Sequence, residues 1–306
     1  MKRIVLSLFG AVIIFAGSLS ETQAATPLVD AAWVKANAGK PGIVFLDTRH
    51  RSSFMAGHVA GAVNSDYGRD GWRVKAKGVP GMLPDTARLS RLIGGLGIGN
   101  DSHVVILPGG YNSAEMGVAT RIYWTFKVAG HDAVSILDGG MEAYLSDRKA
   151  PLVKGLATPK VRTFAINMRP QLLATADDVG KMLAAGSAGT LIDSRPNDQF
   201  LGVNKSGKVK RPGTLPGAIN LPGRWTTIND GGAFRSRDAL NTLYAAAGAP
   251  TKGETITFCN TGHWASLGWF VNSELLGNKK TKLYDGSLAE WSQQPNAPME
   301  QKIKLR

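Results

Sequence analysis

The chain has 306 residues, of which 43% are hydrophobic, and its 36 Lys and Arg against 23 Asp and Glu give a formal net charge of +13. This length suggests about two domains, and the apolar content suffices for two cores. The basic balance favours anionic substrates, but the dispersed Lys and Arg residues do not predict nucleic-acid binding. The single cysteine, Cys259, excludes an internal disulfide.

The first 24 residues are predicted to be a secretory signal. Lys2 and Arg3 precede an apolar run over 4–19, and small residues lead to a cleavage site after Ala24. A membrane anchor is the alternative, but the apolar run is short for a full span. We therefore expect a mature chain that begins at Ala25, is periplasmic or secreted, and has no stable membrane insertion.

Four segments of the first half recur in the same order in the second half, with offsets between 146 and 156 residues. The pairs are 44–49 with 190–195, 57–64 with 213–220, 104–107 with 255–258, and 136–140 with 283–287. This pattern indicates a duplicated domain rather than a short repeat.

Short β-branched runs alternate with helix-like segments in each half. This alternation predicts an α/β fold of two tandem domains, each with a mostly parallel sheet flanked by helices. The clearest predicted helices are 114–129, 238–247 and 264–276. The predicted boundaries are a first domain over 25–150, a proline-containing linker over 151–170 and a second domain over 171–306.

Cys259 stands where a predicted buried strand ends and a polar loop begins, with a helix-like segment after it. Such a junction collects free backbone N–H groups and the positive end of a helix dipole, which favour a bound anion and a thiolate. This position predicts a cysteine nucleophile that handles a small anionic group.

Several motifs resemble the rhodanese family of sulfurtransferases in its tandem two-domain form. Each half has an Asp-x-Arg after its first apolar strand, a Gly-x3-Gly-Ala-x-Asn turn, and an Asp-Gly-Gly or Asp-Gly-Ser near its end. The most specific motif is the loop from Cys259 through Gly262 to Ala265 and Ser266.

This resemblance implies a ping-pong transfer of sulfur without a metal or other cofactor. The Cys259 thiolate would take the outer sulfur of thiosulfate or 3-mercaptopyruvate as a persulfide, and cyanide or a thiol would remove it. The N–H groups of the loop would surround the persulfide, and Gly262 would permit an unusual backbone angle. The candidate substrate-binding residues are Asn260, Thr261, Gly262, His263, Trp264 and Arg195.

Two of these residues have a second possible role. Arg195 lies two positions after Asp193, which favours a structural ion pair over a substrate contact. Trp264 either lines the mouth of the site or anchors the helix that follows.

The first half resembles a catalytically silent domain because Pro108 stands where Cys259 stands in the second half. By resemblance, the active pocket should open toward the interface between the domains. The insertion at 71–77 could reach this pocket, but we expect it to be a solvated basic loop.

One departure from the family concerns the substrate-binding arginine, because its usual place holds Gln199. The candidates to replace its charge are Arg224, Arg235 and Arg237.

Three other classes of site are disfavoured or remain open. A Cys-x5-Arg phosphatase would need an arginine where this chain has Ala265. The five histidines lack the spacing of metal ligands. A non-enzymatic binding module, in which Cys259 is only a small buried hydrophobe, remains the alternative.

Overall fold

The computed structural model describes residues 25–186 and 189–305, and the predicted signal over 1–24 lies outside them. The strands of the first domain are β1 Leu28–Val29, β2 Ile43–Asp47, β3 Ala62–Asn64, β4 Val74–Ala76, β5 Val79–Met82, β6 His103–Leu107 and β7 Val134–Leu137. Its helices are α1 Ala31–Asn37, α2 Arg51–Ala56, α3 Thr86–Gly95, α4 Ser113–Val128 and α5 Gly140–Leu145.

The second domain repeats this plan. Its strands are β8 Leu173–Ala174, β9 Thr190–Asp193, β10 Ile219–Asn220, β11 Thr255–Phe258 and β12 Thr281–Tyr284. Its α-helices are α6 Ala176–Ala184, α7 Asn197–Leu201, α8 Arg237–Ala246, α9 His263–Trp269 and α10 Ser287–Trp291. Short 3-10 helices cover Pro170–Leu172, Gly223–Thr226 and Ile228–Asp230.

The two sheets have the same strand order, which confirms the predicted fold of two α/β domains. The first sheet runs β1-β7-β6-β2-β3 and the second β8-β12-β11-β9-β10, with all pairs parallel. The central strands β6 and β11 are buried along nearly their whole length, as expected when helices cover both faces of a parallel sheet. Strands β4 and β5 form a separate antiparallel hairpin in the first domain.

The repeated Asp-x-Arg and Gly-x3-Gly-Ala-x-Asn motifs contact each other through hydrogen bonds in both domains. Asp47 binds the Arg49 guanidinium, with 2.6 Å between Oδ2 and Nη2, and the same Nη2 donates to Gly57 O at 2.8 Å. The side chain of Asn64 donates to Asp47 O at 3.0 Å. Asp193, Arg195, Gly213 and Asn220 repeat these contacts in the second domain. The motifs therefore join β2 and β9 to the turns that precede β3 and β10.

One predicted helix differs from its observed form. The segment expected to be a single helix over 264–276 is the α-helix α9 followed by a wider π-helix over Phe270–Leu275. The other two predicted helices agree with α4 and α8 to within one residue at each end.

Helix α4 of the first domain packs on α9 of the second, so the two cores meet. Trp124 and Trp269 belong to one buried cluster, and Thr120 Oγ1 lies 2.8 Å from Ser266 Oγ across the boundary. Within the described residues, none of the helices has the length and apolar run needed to cross a membrane.

Two reciprocal hydrogen bonds also join the domains. Asp138, just after β7, accepts the N–H of Phe234 at 2.8 Å. Asp285, just after β12, accepts the N–H of Leu83 at 2.6 Å. Each domain thus binds a main-chain N–H of the other through the aspartate of its Asp-Gly motif.

Candidate active site at the domain boundary

Cys259 follows β11 directly, and its side chain is 0% exposed. The N–H of Leu288 donates to Cys259 O at 3.1 Å, and that of Ala289 donates to Asn260 O at 2.8 Å. The start of α10 therefore holds the start of the loop through these backbone hydrogen bonds.

The first domain has the same loop geometry around Pro108. The N–H groups of Met141 and Glu142 donate to Pro108 O at 2.7 Å and to Gly109 O at 2.8 Å. These contacts place Pro108 where the second domain has Cys259. The equivalent position in the first domain consequently has neither a nucleophile nor an N–H group.

The backbone amides of the loop differ in part from the predicted arrangement. The N–H groups of Cys259 and Gly262 both donate to Ser287 Oγ, at 3.1 and 3.0 Å. The expectation that the Gly262 N–H binds substrate is therefore wrong, since Ser287 occupies it. Among the described residues the N–H groups of Asn260 and Thr261 have no acceptor, so they remain available to an anion.

Gly262 is required for its backbone conformation. Its φ is +74°, and an added Cβ would lie 2.5 Å from Arg121 Nη1 and 2.9 Å from Asp285 O. A side chain at this position would be strained by the backbone angle and would also collide with these two residues.

A cavity of about 570 Å³ lies beside this loop, between the domains. The first domain contributes Tyr67, Arg73, Asn112, Ala114, Glu115 and Val118, and the second contributes Ser206, Lys208, Asn260, Thr261, His263 and Trp264. The cavity therefore lies at the interface, where the active pocket is expected to open. Cys259 is not a lining residue, so its thiol lies behind the wall that its neighbours form.

Asn260, Thr261 and Trp264 have different surroundings. Asn260 Nδ2 donates to Gln199 Oε1 at 2.9 Å, so the residue at the usual arginine position orients the loop. The Thr261 hydroxyl has no hydrogen-bond partner among the described residues. Trp264 both lines the cavity and packs on the core, so its two predicted roles are compatible.

His263 lines the cavity, but its ring nitrogens are occupied. Nε2 lies 3.2 Å from Ala114 O and Nδ1 lies 3.3 Å from the Tyr67 hydroxyl. Because a carbonyl only accepts, we assign the proton to Nε2, and Tyr67 then donates to Nδ1. Burial, together with the positive charge of Arg73, lowers the pKa of His263 to about 3. The expectation that its ring binds substrate by hydrogen bonds is thus corrected, because the neutral ring has no free nitrogen.

The insertion at 71–77 was expected to be a solvated basic loop, and for two residues that expectation is wrong. Trp72 is 1% exposed. Arg73 lines the cavity and donates from Nη2 to Thr261 O and from Nε to Gly81 O, the latter at 2.9 Å. Lys75 and Lys77 do remain exposed.

The arginines that the sequence suggested as substrate ligands have other contacts. Arg195 is fully buried against Asp193 and lines no part of the cavity, which corrects its assignment as a substrate-binding residue in favour of the structural role. Arg224 and Arg235 line a separate cavity, and Arg224 pairs with Asp230. Arg237 does not line the cavity beside Thr261.

The residues that sequence reasoning missed belong mainly to the first domain. Tyr67, Arg73 and Arg121 approach the loop from that side, and Lys208 does so from the second domain. The unusual insertion at 71–77 was the signal that could have identified Arg73. Within residues 25–186 and 189–305, no three His, Cys, Asp or Glu side chains cluster as metal ligands would.

Comparison with known proteins agrees with this architecture. The model of the rhodanese-like domain family matches residues 30–147 and 175–294. The chain is 35% identical over 286 residues to a "Putative thiosulfate sulfurtransferase" of Mycolicibacterium smegmatis, covering 89% of this chain and 97% of the relative. It is 30% identical over 286 residues to the thiosulfate sulfurtransferase of Corynebacterium glutamicum, covering 89% and 90%.

Among solved structures, the chain resembles SseA of Escherichia coli, described as a 3-mercaptopyruvate sulfotransferase, with a TM-score of 0.72 and 24% identity over 86% of this chain and 99% of SseA. It also resembles an EanB variant bound to ergothioneine, with a TM-score of 0.76 and 21% identity over 91% of this chain and 71% of that one. These similarities show the fold. Through the match of both domains to the family model, the chain belongs to the rhodanese-like domain family.

Proposed function

We propose that this chain is a rhodanese-type sulfurtransferase in which Cys259 carries the transferred sulfur. The observation on which this rests is a cavity walled by the loop that follows the only cysteine and lined by Arg73 and Lys208. The thiosulfate sulfurtransferases among its relatives support the same reaction class. A small anionic donor is the substrate that suits such a cavity.

The reaction proceeds in two steps, sulfur uptake by Cys259 and sulfur release to the acceptor. The Cys259 thiolate attacks the outer sulfur of thiosulfate, the S–S bond of the donor breaks, and sulfite leaves with the bonding electron pair. The enzyme then carries Cys–S–S⁻. Cyanide attacks the outer sulfur of this persulfide, leaves as thiocyanate and regenerates the thiolate; a thiol acceptor would receive the sulfur in the same way.

The loop supplies the groups that stabilise the anionic persulfide. The N–H groups of Asn260 and Thr261 and the Thr261 hydroxyl have no other partner among the described residues. Hydrogen-bond donors that are already oriented stabilise developing charge without reorganisation. Ser287 contributes indirectly, because its hydroxyl holds the backbone at both Cys259 and Gly262.

A non-enzymatic sulfur-carrier or binding module is the second candidate. The observation that favours it is the complete burial of Cys259, whose side chain does not line the cavity. In the binding module the cavity would bind an anion or a partner while the thiol stayed unreactive; in a sulfur carrier the thiol would take up sulfur without catalytic turnover.

Mass spectrometry of the intact protein separates the two candidates. We expect incubation with thiosulfate or 3-mercaptopyruvate to add the mass of one sulfur atom, cyanide to remove it, and the Cys259→Ser variant to gain nothing. A thiol that stays unmodified with every donor, and that also resists alkylation, would establish the binding module instead.

We also propose that the protein is exported, on the basis of the signal-like segment over 1–24. Expression with the complete N-terminus, followed by N-terminal sequencing of the exported fraction, tests this. A mature N-terminus at Ala25 is expected, and an intact Met1 on protein outside the cytoplasm would contradict it.

A further inference from the structure

Arg73 and Lys208 are cations on the wall of the cavity beside the Cys259 loop, and they come from different domains. In the part of the chain that the structure describes, neither side chain forms an ion pair with a carboxylate. Two uncompensated positive charges facing one cavity favour an anionic ligand.

The guanidinium of Arg73 is held in place by two hydrogen bonds, and one of its nitrogens has no acceptor in the part of the chain that the structure describes. Nε and Nη2 donate to the main-chain carbonyls of Gly81 and Thr261. Nη1 has no hydrogen-bond partner among the described residues. It is also not buried, because it is absent from the buried polar atoms that lack a partner. The arginine therefore holds a fixed position while one of its donors stays accessible.

Arg224 of the second domain provides an internal comparison for Arg73. Leu83 and Phe234 donate the two reciprocal hydrogen bonds between the domains. Arg73 lies 10 residues before Leu83, and Arg224 lies 10 residues before Phe234. Arg224 is neutralised by an ion pair with Asp230. Arg224 thus has a counter-ion in the protein, whereas Arg73 has none among the described residues.

The other charges around the cavity offset these two cations only in part. Glu115 is the one carboxylate among the described lining residues, and its Oε2 accepts the N–H of Tyr111 at 2.8 Å. His263 is neutral at physiological pH, because burial lowers its pKa to about 3. The side chains on the wall therefore leave a net positive charge.

We propose that Arg73 and Lys208 form the subsite for the oxyanion head group of the sulfur donor, so that the silent domain contributes a donor-binding residue to the active site. Because two separate cations face one cavity, thiosulfate, which is a dianion with a sulfonate-like head group, fits better than 3-mercaptopyruvate with its single carboxylate. This inference rests on the proposed function for the identity of its ligand.

Isothermal titration of the Cys259→Ser protein with thiosulfate measures binding separately from chemistry. Added to this background, we expect Arg73→Met to weaken binding by about 10- to 100-fold, the range for a lost charge-assisted hydrogen bond. Lys75→Met is the matched control, because it removes an exposed charge from the same hairpin, and we expect it to change the affinity less than about 2-fold. Thiosulfate should also bind more tightly than 3-mercaptopyruvate.

Arg73 also supports the loop through Thr261 O, so a second variant is needed. The side chain of Lys208 makes no hydrogen bond to the described residues, and Lys208→Met therefore removes charge without loosening the loop. We expect it to weaken thiosulfate binding by about 2- to 5-fold with an unchanged melting temperature.

The outcomes distinguish this subsite from the proposed function. Thiosulfate binding that is absent, or equal in all the variants, would overturn the subsite. If native Cys259 protein gains sulfur at the same rate with Arg73→Met and Lys208→Met, the subsite fails and the function stands. If binding depends on Arg73 while native protein never gains sulfur, the subsite stands and the function fails.

Discussion

Arg121 of α4 and Asp285, just after β12, form a buried ion pair across the domain boundary, with side chains 0% and 4% exposed. The same guanidinium donates from Nη1 to Gly262 O at 3.2 Å, and its Cζ lies 4.6 Å from the centroid of the Trp124 ring. The first domain therefore holds the loop of the candidate nucleophile directly. We infer that its role is to stabilise and shape the site of its partner domain.

Replacing Arg121 should be costly because it leaves the Asp285 carboxylate buried without its cation. We expect Arg121→Met to lower the free energy of unfolding by about 3–5 kcal/mol, measured by urea denaturation. Arg162→Met is the control, since its pair with Asp101 is 43% and 72% exposed, and it should cost about 1 kcal/mol or less. Equal losses in the two variants would contradict the buried-pair argument.

Alanine at Gly262 should be more harmful than alanine at another glycine with a positive φ. Gly248 has φ +69° and open space around an added Cβ, so Gly248→Ala should lose about 1–2 kcal/mol from backbone strain alone. Gly262→Ala should lose about 1–3 kcal/mol more, because its Cβ would collide with Arg121. Chemical denaturation gives the stabilities, and sulfur loading of Cys259 should fall only in Gly262→Ala. Similar behaviour of the two variants would show that space around Gly262 is not limiting.

The structural role of Arg195 can be tested against its equivalent in the first domain, Arg49. Arg195→Lys and Arg49→Lys each lose the bidentate contact to an aspartate, so we expect comparable losses of about 1–3 kcal/mol in the free energy of unfolding. The KM for the sulfur donor should change little in either variant. A KM that rises only in Arg195→Lys, at unchanged stability, would restore a substrate-binding role.

His263 predicts a particular dependence of stability on pH. Its folded pKa of about 3 lies below the ordinary value of 6.5, so the unfolded chain binds a proton between these values that the folded chain does not. This contribution to stability is complete above pH 6.5 and is lost as the pH falls toward 3.

The measurement is the free energy of unfolding across this range in wild type and His263→Gln. The wild-type slope should be steeper by at most about 1.4 kcal/mol per pH unit. Comparing slopes rather than absolute stabilities removes the effect of the lost Tyr67 contact. Parallel curves would mean that the pKa of His263 is the same in the folded and the unfolded protein.

Several features of the site followed from local sequence. The duplicated strands and the proline at the position equivalent to Cys259 could be predicted, because each depends on neighbouring residues. The Asp193–Arg195 pair joins residues two positions apart, and the positive φ of Gly262 is a property of one turn. Such relationships leave a pattern in a single stretch of chain.

The contacts between the domains could not be predicted in this way. Arg73 and Thr261 are 188 positions apart, and Tyr67 and His263 are 196 apart. The burial of Cys259, the occupied ring of His263 and the extra width of the helix after Trp269 likewise depend on neighbours that one segment does not specify.

The amino-acid sequence by itself determined two α/β domains with parallel sheets, a cysteine at the end of a buried strand, and a loop that needs glycine at position 262. These features are predictable because hydrophobic periodicity and turn geometry are local. Only the tertiary structure decided that the positive charges at the cavity are Arg73 and Lys208, since packing α4 on α9 brings distant residues to one wall. The physical reason is that the charge of a site depends on which side chains packing brings together and which carboxylates it keeps away.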